Sequence, residues 1–298
     1  MNKKIYFLAL AAMALSLGSC DKANEGDDSS SKYISVSTEI TNMTRVSTNA
    51  NGGQSFEDGD KISVYAWTGD KDTAPVAANR IVDNSINTLN GSTWSASPQM
   101  LWMDTQTDHY FIGIYPSSAT SIADLSKGQY TFDVNDQEAS DLLVAVNAQG
   151  IKSSGNPVPL TFKHVMAKLV VNLSFRNQWG GQNPIVTKVT VNGAATQATV
   201  NYLTQTVTAS TTGKKDIDLP KINKEQQYTS ILIPQSGVNR IDVAIGSTNY
   251  SYFHQGDIPL GSGKYTTVSL IVGRDQITLG EISISDWEKG ETFNGEAQ

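Results

Sequence analysis

The chain has 298 residues, a formal net charge of −7 and only 17% charged residues. That length suits roughly two domains, and an acidic balance without a basic patch excludes nucleic acid as an expected partner. The single cysteine, Cys20, excludes an internal disulfide and a multi-cysteine zinc site, and His109, His164 and His254 are too far apart to form a ligand set by spacing.

Lys3 and Lys4 precede an almost wholly apolar run, Ile5 to Leu17. A basic start and an apolar run of this length read as a secretory signal, too short for a permanent span. Leu17-Gly18-Ser19-Cys20 resembles a bacterial lipobox, in which cleavage precedes the cysteine and its thiol receives a diacylglycerol. We therefore expect a signal peptide over 1–19 and a lipid on Cys20. The plainer alternative is an ordinary signal peptide with a chance cysteine. Residues 20–32 carry Asp21, Glu25, Asp27 and Asp28 among Gly and Ser, without an apolar period. They read as a flexible tether. The same acids are similar to the signal that sends lipoproteins of the Bacteroidetes to the cell surface.

Residues 33–162 read as a first β domain. Ile34, Val36 and Ile40 alternate with polar residues and predict a first strand. Thr41 to Gln54 is polar and contains one basic residue, Arg45. Phe56-Glu57-Asp58-Gly59-Asp60 predicts a turn, and Lys61 to Trp67 a strand with Ile62, Val64 and Ala66 on one face. Asn90-Gly91 is a hairpin signal. Tyr110 to Tyr115 predicts a strand stopped by Pro116. Leu142 to Val146 is short and apolar, compatible with strand or helix by period alone.

Residues 163–298 read as a second domain of the same texture. Leu169, Val171, Leu173 and Phe175 alternate, as do Ile241, Val243 and Ile245, and then Val268, Leu270 and Val272. Gly, Asn and Pro turns separate short strands, and Ile282 and Ile284 lead to Trp287. The expected class is all-β, two β-sandwich domains in tandem.

Chemistry is sparse. No nucleophile elbow, phosphate loop or zinc-protease motif is present, so no catalytic residue is expected. His164 sits in an apolar stretch and reads as a packed histidine. Asp133, Asn135, Asp136 and Glu138 offer oxygen ligands but lack the glycine and distal glutamate of a calcium loop. They read as a polar loop, and neither metal nor cofactor is expected. Trp67, Trp94 and Trp179 are candidate sugar-stacking platforms, against the commoner role of tryptophan in packing.

Several pieces, taken in order, resemble the fimbrillin-like surface proteins of the Bacteroidetes. They are the lipobox at Cys20, the first strand followed by Thr44-Arg45, the Phe56–Val64 turn and strand, and Trp102 before the strand ending at Tyr115-Pro116. Asp141 to Ala145, Leu160 to Lys168, and the closing Trp287 with Gly290 complete the set. The resemblance implies transthyretin-like Greek-key sandwiches and an outer-membrane lipoprotein, without enzymatic activity, in fimbriae (pili) that serve adhesion to a host or bacterial surface ligand. It also implies that an arginine-specific protease cuts after the first strand. Arg45 lies at that place. A strand from another fimbrial subunit would then fill the opened groove by β-strand addition. An anchor or tip subunit that keeps its strand is the other form such a chain takes. A surface glycan-binding lipoprotein of a polysaccharide-uptake system is the alternative reading of the same features.

Overall fold

Alternating side chains broken by Gly, Asn and Pro favour short strands, and strands are what forms. The computed structural model describes residues 32–41, 55–73, 76–137, 139–222 and 226–286. Among them the only helical element is a 3-10 turn, Ala77–Asn79. Up to the middle of the chain the strands are β1 (Val36–Ile40), β2 (Lys61–Thr68), β3 (Arg80–Asn90), β4 (Thr93–Ser97), β5 (His109–Tyr115), β6 (Gly128–Thr131), β7 (Leu143–Ile151) and β8 (Val158–His164). There follow β9 (Ala167–Phe175), β10 (Val186–Ala194), β11 (Gln197–Asn201), β12 (Thr206–Ala209) and β13 (Lys215–Asp218). The last are β14 (Gln227–Leu232), β15 (Arg240–Ile245), β16 (Thr248–Phe253), β17 (Lys264–Val272) and β18 (Ile277–Asp286). The Leu142–Val146 run, ambiguous by period, is strand from Leu143 onward.

Seven strands form one sheet in the order β1-β8-β7-β5-β2-β3-β4. β1 lies parallel to β8, from Val36 opposite Val158 to Ile40 opposite Phe162. The outermost strands of this sheet approach each other. Trp94 on β4 donates its indole N–H to Thr38 Oγ1 on β1 at 3.0 Å. Just before β1, the Ile34 amide donates to the Met100 carbonyl at 3.0 Å. The sheet thus curls around an apolar core that includes Ile34, Ile62, Val64, Phe111, Leu160 and Phe162. Gly113 on β5 makes this closure possible, since a Cβ there would come within 2.7 Å of Phe162 Cζ.

The other face of the same sheet packs into a second, larger core. Tyr65, Trp67, Ile112 and Ile114 belong to it together with Val171 and Leu270. On β2 the expected shared face of Ile62, Val64 and Ala66 is found, and the opposite face is buried as well. Ile62, Val64 and Ala66 enter the smaller core, while Tyr65 and Trp67 enter the larger one. Apolar layers lie on both sides of the strand, so its alternation does not separate inside from outside.

Three further sheets, β13-β10-β15-β16, β12-β11-β6 and β14-β9-β17-β18, line the larger core. β9 and β17 are parallel, from Lys168 opposite Tyr265 to Phe175 opposite Val272. The position expected to divide the chain, between 162 and 163, falls inside β8, because pairing with β7 continues to His164. The chain crosses to the next sheet at Val165 and Met166, both buried. β6, from before that point, pairs with β11, from after it.

Candidate functional site

The first strand is the best-defined candidate. Every second side chain of a strand shares a face, and Ile34 and Val36 are 1% and 5% exposed in the smaller core. Ile40 packs more loosely against both cores. β1 has one full ladder, to β8. On its other side it and the residues before it are held by short ties, among them the Tyr33–Leu101 bridge, the bonds of the Trp102 amide to the Lys32 carbonyl and of the Ile34 amide to the Met100 carbonyl, and the Thr38–Trp94 bond. A cleft of about 740 Å³ opens along that side, bordered by Ser37, Glu39, Phe56, Thr93, Trp94 and Pro157.

Phe56 lines the cleft. Its ring lies edge-on to Trp94, Tyr115 and Phe162, with centroids 5.3, 5.3 and 5.1 Å away. The acidic turn behind it fixes this position. Asp58 Oδ1 accepts from the Gly91 amide at 2.6 Å, Asp60 Oδ2 accepts from the Glu57 amide at 2.7 Å, and Asp60 Oδ1 accepts from the Tyr115 hydroxyl at 3.1 Å. β1 and Phe56 flank the polar segment that contains Arg45, and both converge on Trp94. Arg45 itself and Cys20 lie outside the described residues.

His164 is not isolated. Its Nδ1 is 2.8 Å from Asp141 Oδ1, and both side chains are buried at the crossover from β8 to β9. Lys168 lies 7% exposed on β9, and burial pushes its ammonium down to about 8 while the Asp141 charge acts the other way. Nearby, the Tyr130 hydroxyl donates to the Ser140 carbonyl, and burial raises the Tyr130 phenol well above its usual range. Asp141, His164 and Lys168 are buried, and the cluster joins residues on either side of the crossover at Val165 and Met166.

Two of the three candidate stacking platforms are largely buried. Trp67 is 1% exposed and donates its N–H to the Asp70 carbonyl at 3.0 Å. Trp94 is 8% exposed, with Phe56 against its ring. Trp67 lies between two apolar layers, and Trp94 borders the cleft beside β1. Trp179 is half-buried, with Phe175 and Tyr250 edge-on and the Arg274 guanidinium 5.5 Å over its ring. After β6, Asp133 Oδ1 accepts from the Asn135 amide and Asp136 Oδ1 from the Ala139 amide, while Glu138 lies outside the described residues. Among the described residues no group of His, Cys, Asp and Glu side chains has the arrangement of a metal site.

Three participants escape sequence reading: Thr38 as a hydrogen-bond acceptor inside the sheet, Phe56 as an aromatic contact of Trp94, and Asp141 as the partner of His164. Only Phe56 leaves a trace, as an aromatic residue at the end of a long polar segment.

A sequence model of the fimbrillin-like family matches residues 44–287. Among solved structures, the chain resembles a candidate cell adhesion protein from Bacteroides ovatus at a TM-score of 0.65 and 19% identity, covering 86% of this chain and 98% of that one. A second such protein, from Bacteroides uniformis, gives 0.62 and 16%, with the same 86% and 98% coverage. A fimbrial protein from Bacteroides vulgatus gives 0.52 and 13%, covering 85% and 99%. At these identities the likeness establishes the fold. No curated protein matches the chain.

Proposed function

The chain belongs to the fimbrillin-like family, and from that membership we propose that it is a non-enzymatic fimbrial subunit at the cell surface, serving adhesion. The finer reading has three parts. A lipid on Cys20 holds the newly exported chain at the outer membrane. The β strands divide into two transthyretin-like sandwich units, with Val165 and Met166 as the crossover between them. Cleavage after Arg45 releases β1, and a strand from another subunit takes its place.

One observation carries the strand-exchange part. β1 fills an apolar groove with Ile34 and Val36 yet is laddered on one side only. The segment that follows it, 41–54, contains Arg45 as its sole basic residue. A strand with this placement is separable at one peptide bond, and its departure leaves apolar surface and an unpaired edge on β8 that another strand relieves.

The test is digestion of the purified chain with an arginine-specific protease, followed by light scattering and electron microscopy. Fibres or oligomers after the cut, blocked by Arg45→Ala, are expected. A cut chain that stays monomeric and keeps its fragment would instead indicate an anchor or capping subunit. Lipidation is tested separately by metabolic labelling with a fatty-acid probe, which Cys20→Ala should abolish. Specific retention on a polysaccharide affinity gel, lost in Trp179→Ala, would move the reading to surface glycan binding.

A further inference from the structure

From the crossover, β9 and β17 run side by side to Phe175 and Val272, which lie opposite each other. Nine residues of strand put that end about 30 Å from the crossover. The segment 176–185 leads from it to β10, and the turn 273–276 leads from it to β18; every residue of both is described. Gly273 lets the two come together. A Cβ on it would stand 2.7 Å from Gln178 Oε1, 2.9 Å from Asp275 Oδ1 and 3.1 Å from Arg176 Cδ. The Arg274 amide donates to Gln178 Oε1 at 2.9 Å, and the Arg274 guanidinium lies 5.5 Å over the Trp179 ring. The Trp179 indole N–H donates to the Val272 carbonyl at 3.3 Å, which ties the ring to the end of β17.

The four described arginines divide into two kinds. Arg80 pairs with Asp83, and Arg240 with Asp242. Arg176 and Arg274 pair with no carboxylate among the described residues, and both stand at this one end. The Arg176 guanidinium makes a single hydrogen bond there, from Nη2 to Thr278 Oγ1 at 3.3 Å, and the Arg274 guanidinium only stacks. Asp275, the one carboxylate in the two segments, pairs with neither. A guanidinium is a planar fork that fits a carboxylate with two parallel bonds. Stacking on Trp179 sets the plane of the Arg274 fork before any anion arrives.

We propose that this end of the chain binds an acidic sugar, a sialic or uronic acid, with Arg274 and Arg176 holding its carboxylate. Two cations without a lysine among them suit one carboxylate at a time, not a run of acidic side chains. Asn177, Gln182 and Asn183 are exposed in the same segment and offer amides to the hydroxyl groups of a sugar ring. The chain as a whole carries −7, so its remaining surface repels such a ligand and confines the contact to the place where guanidiniums are left over. The proposal goes beyond the fimbrial reading: it gives the adhesive role a ligand class and does not depend on strand exchange.

The experiment titrates the full, uncut chain with sialyllactose, trigalacturonate, lactose and tetraglutamate, and follows the Trp179 indole N–H signal by nuclear magnetic resonance. At least one of the two acidic sugars is expected to shift that signal and to bind about tenfold tighter than lactose, the effect of hydrogen bonds to a charged group. Which of the two binds tells a sialic from a uronic acid. Arg274→Gln and Arg176→Gln should each weaken that sugar about tenfold, Arg274→Lys should recover only part of the loss, and added salt should weaken binding to the unsubstituted chain. Lactose binding as tightly as both acidic sugars, binding that survives both Gln variants, or no shift with either acidic sugar overturns the proposal. Tetraglutamate binding as tightly as the better sugar overturns the sugar as ligand. Fibre formation after the Arg45 cut is read separately and should be the same in Arg274→Gln, so failure of this site and failure of the subunit reading are told apart.

Discussion

His164 Nδ1 lies 2.8 Å from Asp141 Oδ1, and this buried pair fastens the loop before β7 to the end of β8, where the chain leaves one sheet for the next. Removing one partner leaves a polar group buried without this bond. His164→Ala is expected to lose about 3 kcal/mol of unfolding free energy in urea titration. The double variant with Asp141→Ala should lose clearly less than the sum of the two single losses, because the residues share one interaction. Additive losses would show that the two side chains do not act as a pair.

Lys168 makes stability depend on pH. Burial lowers its folded value from 10.5 to about 8. Between those values the unfolded chain binds a proton that the folded chain has released, so stability rises with pH across this window. The full difference is at most about 3 kcal/mol. Tyr202 acts in the opposite sense. Burial lifts its phenol from 10.0 to about 12, so the folded chain holds a proton the unfolded chain gives up, and stability falls across that range. Denaturation midpoints should therefore rise above pH 8 and fall again beyond about pH 10. Lys168→Met should flatten the rise and leave the fall. A rise that survives in Lys168→Met would assign it to another group.

Much of the fold is legible in the sequence, because alternation and turn chemistry are local. The first strand, the Phe56–Asp60 turn, the Asn90-Gly91 hairpin and the stop at Pro116 all stand where the residues put them. What the sequence hides is set by distant neighbours. Tyr65 and Trp67 lie on the face of β2 opposite Ile62 and Val64, and that the larger core covers this face depends on strands far away in sequence. Asp141 and His164 are 23 positions apart and meet only because β7 and β8 are adjacent. The pairing of β6 with β11 crosses the expected division, and no local signal announces it. Trp94 illustrates both sides: its turn is predictable, but its bond to Thr38 exists only once the sheet has curled.

Gly113 should resist substitution. A Cβ there would stand 2.7 Å from Phe162 Cζ and 3.2 Å from Leu160 Cδ1. Gly113→Ala is expected to cost about 1–3 kcal/mol through overpacking. Because β1 rides on β8, the damage should spread to it. Amide protection of Val36 and Ile40 in hydrogen exchange should drop with that of Phe162. Loss confined to β5 would show that the two outer strands are held independently.

Ile34 should govern how long a severed first strand stays in place. It is 1% exposed, and Ile34→Ala is expected to cost about 2–5 kcal/mol in the intact chain. After cleavage at Arg45, the fragment carrying that substitution should leave the groove far faster on gel filtration than the unsubstituted fragment. Ser35→Ala, on the exposed face, is the control and should change stability by no more than about 0.5 kcal/mol. Equal fragment release from both variants would mean that the apolar face of β1 does not hold it.

The parallel alignment of β1 with β8 also decides how this attachment fails under tension. A pull on the chain at Tyr33, directed along β1 and away from Ile40, runs parallel to the strand axis. It loads the bonds spanning Val36–Val158 to Ile40–Phe162 side by side. They give way together, in shear, rather than opening one after another like a zip, so a ladder of only five residue pairs resists a lengthwise force better than its length suggests.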